Sequence, residues 1–287
     1  MPDAVAIQGE AGSFSHAAAL ETHGPTIRLL PCATFVDLFR TVETGAARSG
    51  VVPIENTLAG SVHENYDLLS AHALHVAGET ELRIKHCLIA PPRTTLREVR
   101  RVASHPVALA QCRRFFSRHP DLVAVPAYDT AGSVRDLMAG KVEADAAIAS
   151  SLAADLYGAA VLEEGLEDHV ENYTRFLIVT REPAATERGE TTKTSLLFAL
   201  GNGPGTLHRA LGVFAARGLN LTKIESRPIP GHPWEYLFYL DVTDESGAHG
   251  LAEAIDELRT VASGVRILGT YAARQAPPQF GADADGG

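Results

Sequence analysis

Glu171-Asn172-Tyr173-Thr174-Arg175-Phe176 leads into the apolar run Leu177-Ile178-Val179, so these nine residues read as a buried strand with a polar mouth. An amide, a hydroxyl, a guanidinium and an aromatic ring make an odd start for a core element unless they face a crevice. In open α/β sheets, ligands bind where strands end and loops begin. Taken alone, the stretch is equally a strand flank carrying a solvated arginine, and the surrounding chain has to decide between the two.

Upstream, strand and helix patterns alternate. Residues 4–7 read as a short buried strand, followed by Gly9-Glu10-Ala11-Gly12-Ser13-Phe14-Ser15-His16 and the helix-forming Ala17-Ala18-Ala19-Leu20. Such a turn exposes N–H groups and the positive end of a helix, which suits a carboxylate or phosphate. Ser13 or Ser15 acting as a plain N-cap accounts for it equally well. A second strand is expected at 27–30, a helix capped by Thr34 at 35–44, and a strand from Gly50 that ends in the polar Glu55-Asn56-Thr57. Val62, Tyr66 and Leu69 then share one face of a helix over 62–70. The alternation predicts a largely parallel sheet with Glu55, Asn56 and Thr57 at its carboxyl edge.

A second series of similar size follows. Residues 82–90 read as one long strand closed by Pro91-Pro92, and Thr95-Leu96-Arg97-Glu98 has the spacing of a capping box. The strand 102–104 ends in Ser104-His105-Pro106, and the helix 108–117 carries Gln111 and Cys112 in its first turns. Strands at 123–125 and 144–149, with helices within 130–140 and over 151–156, complete it. The chain then returns through 160–165 to the opening stretch, so two crossings join two lobes. A cleft between such lobes suits capture of a small ligand by hinge closure.

Residues 183–192 are polar and aperiodic and read as a linker. Beyond them, strand 193–200, helix 205–217, strand 219–227, turn 228–233, strand 234–242, helix 250–261 and strand 265–271 give the βαββαβ order of a ferredoxin-like domain. The expected division is therefore 1–182, 183–192, 193–275 and a flexible tail at 276–287.

Composition narrows the function. A net charge of −10, from 25 basic and 35 acidic residues, argues against nucleic acid or an anionic membrane as partner. An anionic substrate would need a local cationic pocket. No apolar window is long enough for a membrane helix and Met1-Pro2-Asp3 shows no signal-peptide pattern, so a cytoplasmic protein is expected. Cys32, Cys87 and Cys112 form no C-x-x-C and read as small buried hydrophobes. The twelve histidines include no H-E-x-x-H, and no metal or organic cofactor is expected. Gly201-Asn202-Gly203-Pro204-Gly205 imitates a dinucleotide fingerprint, but Thr206 occupies the third glycine position and too little chain follows for a doubly wound sheet.

Five segments in register carry a family resemblance: GEAGSFSH at 9–16, PIENTLAG at 53–60, SHPVALAQC at 104–112, NYTRF at 172–176 and LNLTKIESRP at 219–228. Together they resemble the monofunctional prephenate dehydratases with a C-terminal ACT domain. The resemblance implies an α/β fold, with a two-lobed catalytic domain similar to type II periplasmic binding proteins and an α+β ACT module, and with no chorismate mutase segment before Ala4. It implies decarboxylating loss of water from prephenate, giving phenylpyruvate for phenylalanine biosynthesis, without a cofactor.

It places Thr174, Arg175, Asn172 and Glu55 in catalytic positions. Ser13, Ser15, His16, Asn56, Thr57, Ser104, His105, Gln111 and Phe176 become substrate-binding candidates. In this reading Arg175 offers a planar fork to a substrate carboxylate, Thr174 hydrogen-bonds the leaving hydroxyl, and Glu55 or His16 is the ultimate proton source. L-Phenylalanine is the implied inhibitor, held by Gly203, Pro204, Gly205, Thr206, Leu207, Asn220, Leu221, Glu225, Ser226, Arg227 and Pro228 in a homodimer or homotetramer. Two departures stand out: Gly-Pro-Gly-Thr-Leu at 203–207 where relatives often have Gly-Ala-Leu, and Val107 where a Gln is common. Arogenate dehydration and a non-catalytic, amino-acid-sensing binding protein are the alternatives.

Overall fold

A computed structural model describes residues 4–185, 191–229, 231–244 and 250–273. The tail expected at 276–287, the middle of the expected linker and position 230 of the expected turn lie outside the described residues. The chain divides into two units, Met1–Glu182 and Pro183–Gly287.

The first unit begins β1 (Ala4–Gln8), α1 (Phe14–His23), β2 (Arg28–Cys32), α2 (Phe35–Glu43), β3 (Ser49–Asn56), β4 (Gly60–Ser61), α3 (His63–Ala71) and β5 (His75–Arg83). It continues β6 (Cys87–Ala90), β7 (Arg101–Ser104), α4 (Pro106–Ala110), α5 (Arg113–Arg118), β8 (Val123–Pro126), α6 (Thr130–Met138), β9 (Ala146–Ala149), α7 (Ser151–Tyr157), β10 (Ala160–Glu164) and β11 (Tyr173–Thr180). The helix starts obey local chemistry. Ser13, Thr34, Asp129 and Ser150 each accept a bond from a backbone N–H in the first turn they cap. The Thr95–Glu98 capping box is present as read, on a single 3-10 turn.

Two sheets result, ordered β2-β1-β3-β11-β5 and β10-β6-β9-β7-β8. Neither is largely parallel. β1 runs parallel to β2 and β3, but β11 pairs antiparallel with both β3 and β5, and β6 is antiparallel to β9 and β10. The antiparallel members flank the two passages between lobes, because a chain that leaves a sheet and returns re-enters it in the opposite sense. The strand expected at 82–90 is cut for the same reason. β5 belongs to the first sheet and β6 to the second, and Ile84-Lys85-His86 cross between them. Their backbone groups are satisfied by the other crossing, since the His86 carbonyl accepts from Gly165 and Leu166, and Ile84 N–H donates to Asn172 O at 2.7 Å. The helix expected at 108–117 is likewise split, because the Asp168 carboxylate accepts the N–H groups of Arg113 and Arg114 and starts a new helix there.

Each lobe has its own core. Val5, Ile7, Ala18, Ala19, Val51 and Phe176 pack in the first, and Leu88, Val102, Cys112, Phe115 and Ile148 in the second. All three cysteines are buried and unpaired by disulfide; burial pushes the Cys87 thiol up to about 11 and the Cys112 thiol higher still.

The second unit contains β12 (Thr192–Leu200), α8 (Thr206–Ala215), β13 (Asn220–Pro228), β14 (Tyr236–Asp244), α9 (Gly250–Val261) and β15 (Ser263–Ala272). Its antiparallel sheet is ordered β13-β14-β12-β15, with Leu196, Phe198 and Leu240 packed against Val213, Phe214 and Leu258 of the helices. This is the expected βαββαβ domain. No helix among the described residues is long and apolar enough to cross a membrane.

Gly12 sits where the lobes meet. Its φ is +89°, and a Cβ there would stand 2.8 Å from the Ala153 Cα on α7. Gly24 has a similar φ of +84° but nothing within 4 Å. Gly24→Ala, at φ 84° and ψ 174°, should therefore cost only the backbone strain, about 1–3 kcal/mol, whereas Gly12→Ala should cost more, at least about 3 kcal/mol, because the backbone of another element must also move. Urea unfolding of the two variants gives the comparison, and equal losses would show that the approach to α7 is loose.

Candidate active site

The cleft between the lobes has a volume of about 400 Å³. The first lobe contributes Phe14, Ser15, Pro53, Asn56, Val62, Thr174 and Phe176; the second contributes His105, Val107, Ala108, Gln111 and Thr130. Ala59, Gly60 and Ser61, together with Ile84 and His86 of the first crossing, complete the lining. Phe176 is 1% exposed and packs in the first lobe's core, so it forms a floor rather than a mobile contact.

A chain of amides runs from the crossing to Thr174. His86 Nε2 and Gln111 Oε1 are 2.9 Å apart, and Asn172 Nδ2 donates to the same Oε1 at 3.0 Å. Asn172 Oδ1 in turn accepts from Asn56 Nδ2 at 2.8 Å. Asn56 Nδ2 also lies 3.0 Å from Thr174 Oγ1 and 3.0 Å from the Tyr173 carbonyl, so two hydrogens serve three acceptors. Asn56 Oδ1 is occupied by the N–H groups of Leu58 and Ala59, which fixes the amide's sense. Asn56 therefore donates to Thr174, and the threonine's own hydrogen is left for the cleft. A carbonyl oxygen at Gln111 obliges His86 to present Nε2–H. Burial holds the His86 imidazole below its usual range and hence neutral.

The site residues read from the sequence separate into two groups. Thr174, Asn56, Gln111, Ser15, His105 and Phe176 line the cleft, and Asn172, fully buried, stands directly behind them. The others have local structural duties. Ser13 caps α1, His16 Nδ1 accepts from Gly12 N–H at 3.0 Å, and Thr57 Oγ1 ties Glu171 O to Tyr173 N–H. Ser104 Oγ donates to Ile148 O from a position with no exposure. Glu55 is not part of the lining.

Arg175 requires a correction. Successive strand residues point to opposite faces, so with Thr174 and Phe176 on the cleft side, Arg175 is turned away. Its Nε and Nη2 lie 2.8 and 2.7 Å from Glu79 Oε2, in an ion pair whose side chains are 12% and 2% exposed. It is not a free fork for substrate, and the lining contains no lysine or arginine at all. Among the described residues, the cleft lacks the lysine or arginine expected for an anionic substrate. Arg113 lies in a hollow that adjoins it through Ala59, Val107 and Gln111.

His86 was not foreseen, because a histidine inside an apparently continuous strand carries no sequence signal. The break at 84–86 exists only once the strands belong to different sheets. No group of three or more His, Cys, Asp or Glu among the described residues could hold a metal ion.

The effector candidates are split within one copy of the second unit. Gly205, with φ +77°, precedes α8, and Gly203 O accepts from Thr206 Oγ1 at 3.0 Å. Leu200 and Pro228 both pair with Tyr236, so the 203–207 loop and the Glu225–Pro228 segment share one end of the sheet. Asn220 and Leu221 lie at the other end of β13, which is an edge strand.

The prephenate dehydratase family profile matches residues 5–184, and the ACT domain profile residues 194–260. Among curated relatives, arogenate dehydratase/prephenate dehydratase 2, chloroplastic, of Arabidopsis thaliana is 40% identical over 276 residues, covering 93% of this chain and 72% of that one. A solved prephenate dehydratase from Arthrobacter aurescens in complex with L-Phe superposes with a TM-score of 0.86 at 33% identity, covering 94% of this chain and 90% of that one. A structure described as GqqA, a novel type of quorum quenching acylases, has the same TM-score at 38% identity, covering 94% and 98%.

If Arg175 is structural, its loss should appear first in stability. Arg175→Ala leaves the Glu79 carboxylate buried without its partner and should cost about 3–5 kcal/mol. Restoring neutrality with Glu79→Gln in the same chain should recover part of that loss. Denaturant midpoints of the two single variants and the double variant check this, and an Arg175→Ala protein of normal stability would return the residue to the substrate side.

Proposed function

Because the chain belongs to the prephenate dehydratase family and carries an ACT domain, we propose that its cleft converts prephenate to phenylpyruvate as a carbon–oxygen lyase. Prephenate carries two carboxylates and a ring hydroxyl, and loss of carbon dioxide and hydroxide makes the ring aromatic. The protein must hold the ring over the floor, orient both carboxylates and assist the leaving oxygen.

The observation that carries this reading is the Asn56–Thr174 hydrogen bond. An alcohol is a weak acid, so Thr174 acts as a positioned donor to the oxygen on which negative charge develops. Accepting from Asn56 strengthens the donation, since linked hydrogen bonds polarise one another. Gln111, reaching from the second lobe to Asn56 at 3.4 Å and to Asn172, couples that arrangement to lobe closure. The first turn of α1 at Phe14 and Ser15 presents backbone N–H groups and a hydroxyl to a carboxylate. The apolar lining excludes water, which makes these neutral donors count for more than they would in solvent.

Arogenate, with an ammonium in place of the keto group, is the second reading. It is favoured by a relative named for both activities and by a lining without a cation, which suits a substrate of lower net charge.

Purified protein should release phenylpyruvate from prephenate after exhaustive chelation, and Thr174→Ala should lower kcat about 10²- to 10⁴-fold. Parallel assay of arogenate, read as phenylalanine, ranks the two substrates. Turnover of neither, or an unimpaired Thr174→Ala enzyme, would overturn the reading.

L-Phenylalanine is proposed to bind the ACT unit and inhibit, supported by the ligand of the Arthrobacter aurescens structure. Antiparallel pairing of two β13 edges in a homodimer or homotetramer would bring Asn220 and Leu221 of one copy beside the Arg227-Pro228 end of the other, joining the two halves of the effector set. Inhibition requires about 1–3 kcal/mol of coupling, roughly a 5- to 150-fold change in apparent affinity. Calorimetry should detect phenylalanine binding to the intact chain, and a fragment cut within 183–192 that still turns over substrate should be insensitive to it.

A further inference from the structure

The sheet of the first lobe has a second hollow at the end opposite the cleft. Ser49 begins β3 and Asn56 ends it, so the two positions are about 23 Å apart at strand rise. A cavity of about 420 Å³ lies there, with Ser49 and His23 in its wall and Thr26 and Arg48, both exposed, at its opening.

The hydrogen bonds at this place have a direction. Thr22 Oγ1 donates its single hydrogen to Ala18 O at 2.9 Å, so it accepts from His23 Nδ1, 2.7 Å away. With Nδ1 protonated, the neutral form of the imidazole would offer Nε2 as an acceptor, and that atom lies 2.9 Å from Ser49 Oγ. The serine therefore donates to a histidine whose tautomer is fixed by a third side chain. Nucleophile, base and orienting group stand in the sequence that acyl transfer requires.

We propose that this pocket is a second reactive site, in which Ser49 is acylated by small esters with His23 as general base. Ser49 Oγ would attack the ester carbonyl as its proton passes to His23 Nε2, and that proton then leaves on the departing alcohol. Water would cleave the acyl-serine by the same route in reverse, so ester and water give acid and alcohol with no other reagent. Thr22 carries no charge and cannot stabilise an imidazolium as an aspartate does, so acylation should be slow beside that of enzymes with a charged third group.

The full-length protein can be treated with a fluorophosphonate probe and mapped by mass spectrometry, alongside a 4-nitrophenyl butyrate burst assay. One probe per chain on Ser49 is expected, with a burst of one equivalent of nitrophenolate. His23→Gln should slow both reactions about 10²- to 10⁴-fold, the usual loss on removing a general base. Ser49→Ala should abolish them while the cleft's own turnover stays within about twofold of wild type, a check on folding that needs no second pocket. Because mapping is done on the wild-type chain, an unstable Ser49→Ala variant does not blunt the test. No label on Ser49, label on other serines only, or a labelling rate indifferent to His23→Gln would each show that the Ser49–His23 bond merely satisfies two polar groups at the sheet's end.

Discussion

The period-two alternation of β11 is the constraint on which the first unit rests. That strand is sandwiched between β3 and β5 and pairs with both along its length, the register shifting at Arg175/Phe176 on the β3 side and at Ile178/Val179 on the β5 side. A slip by one residue would exchange its faces completely. In the register adopted, Thr174 and Phe176 look into the cleft while Arg175 is delivered to Glu79 on β5. The buried ion pair also specifies register, because any other alignment would strand a charge in the core. The cleft-facing hydroxyl of Thr174 and the ion-paired guanidinium of Arg175 are thus neighbours in sequence that look to opposite faces of the strand.

Much of this was legible in the chain, and what was not shares one cause. Strand and helix order, the Thr95–Glu98 box and the βαββαβ unit depend on neighbours within a few residues, which a sequence displays directly. The break at 84–86, the division of the helix at Gln111-Cys112 and the turn of Arg175 away from substrate depend on partners such as Asn172, Asp168 and Glu79. Those partners lie from 55 to 96 positions away for Asp168 to Arg113 and Arg175 to Glu79, respectively. Ser13, His16, Thr57 and Ser104 illustrate the converse. Their motifs lie beside the cleft, yet each side chain is occupied locally: Ser13 caps α1, His16 accepts from Gly12 N–H, Thr57 ties Glu171 to Tyr173, and Ser104 bonds Ile148 of β9.

The electrostatics of the cleft are made from dipoles. Amides of Asn56, Gln111 and Asn172, a neutral imidazole and a helix start supply donors whose directions are set by one another, without a mobile charged side chain in the lining. Such donors need little reorganisation as charge moves from a carboxylate to a departing oxygen. The arrangement couples the lobes, since Gln111 belongs to one and Asn56 and Asn172 to the other and to the crossing.

The thiols of Cys87 and Cys112 carry a practical meaning. Cys87 begins the strand just after the first crossing and Cys112 sits at the helix division beside the second, both in the core and both held protonated by burial. A thiol that cannot ionise in place is almost inert to alkylation or oxidation. Modification at these two positions must then wait for the second lobe to breathe open, so their slow chemistry amounts to a built-in clock for local unfolding next to the hinge.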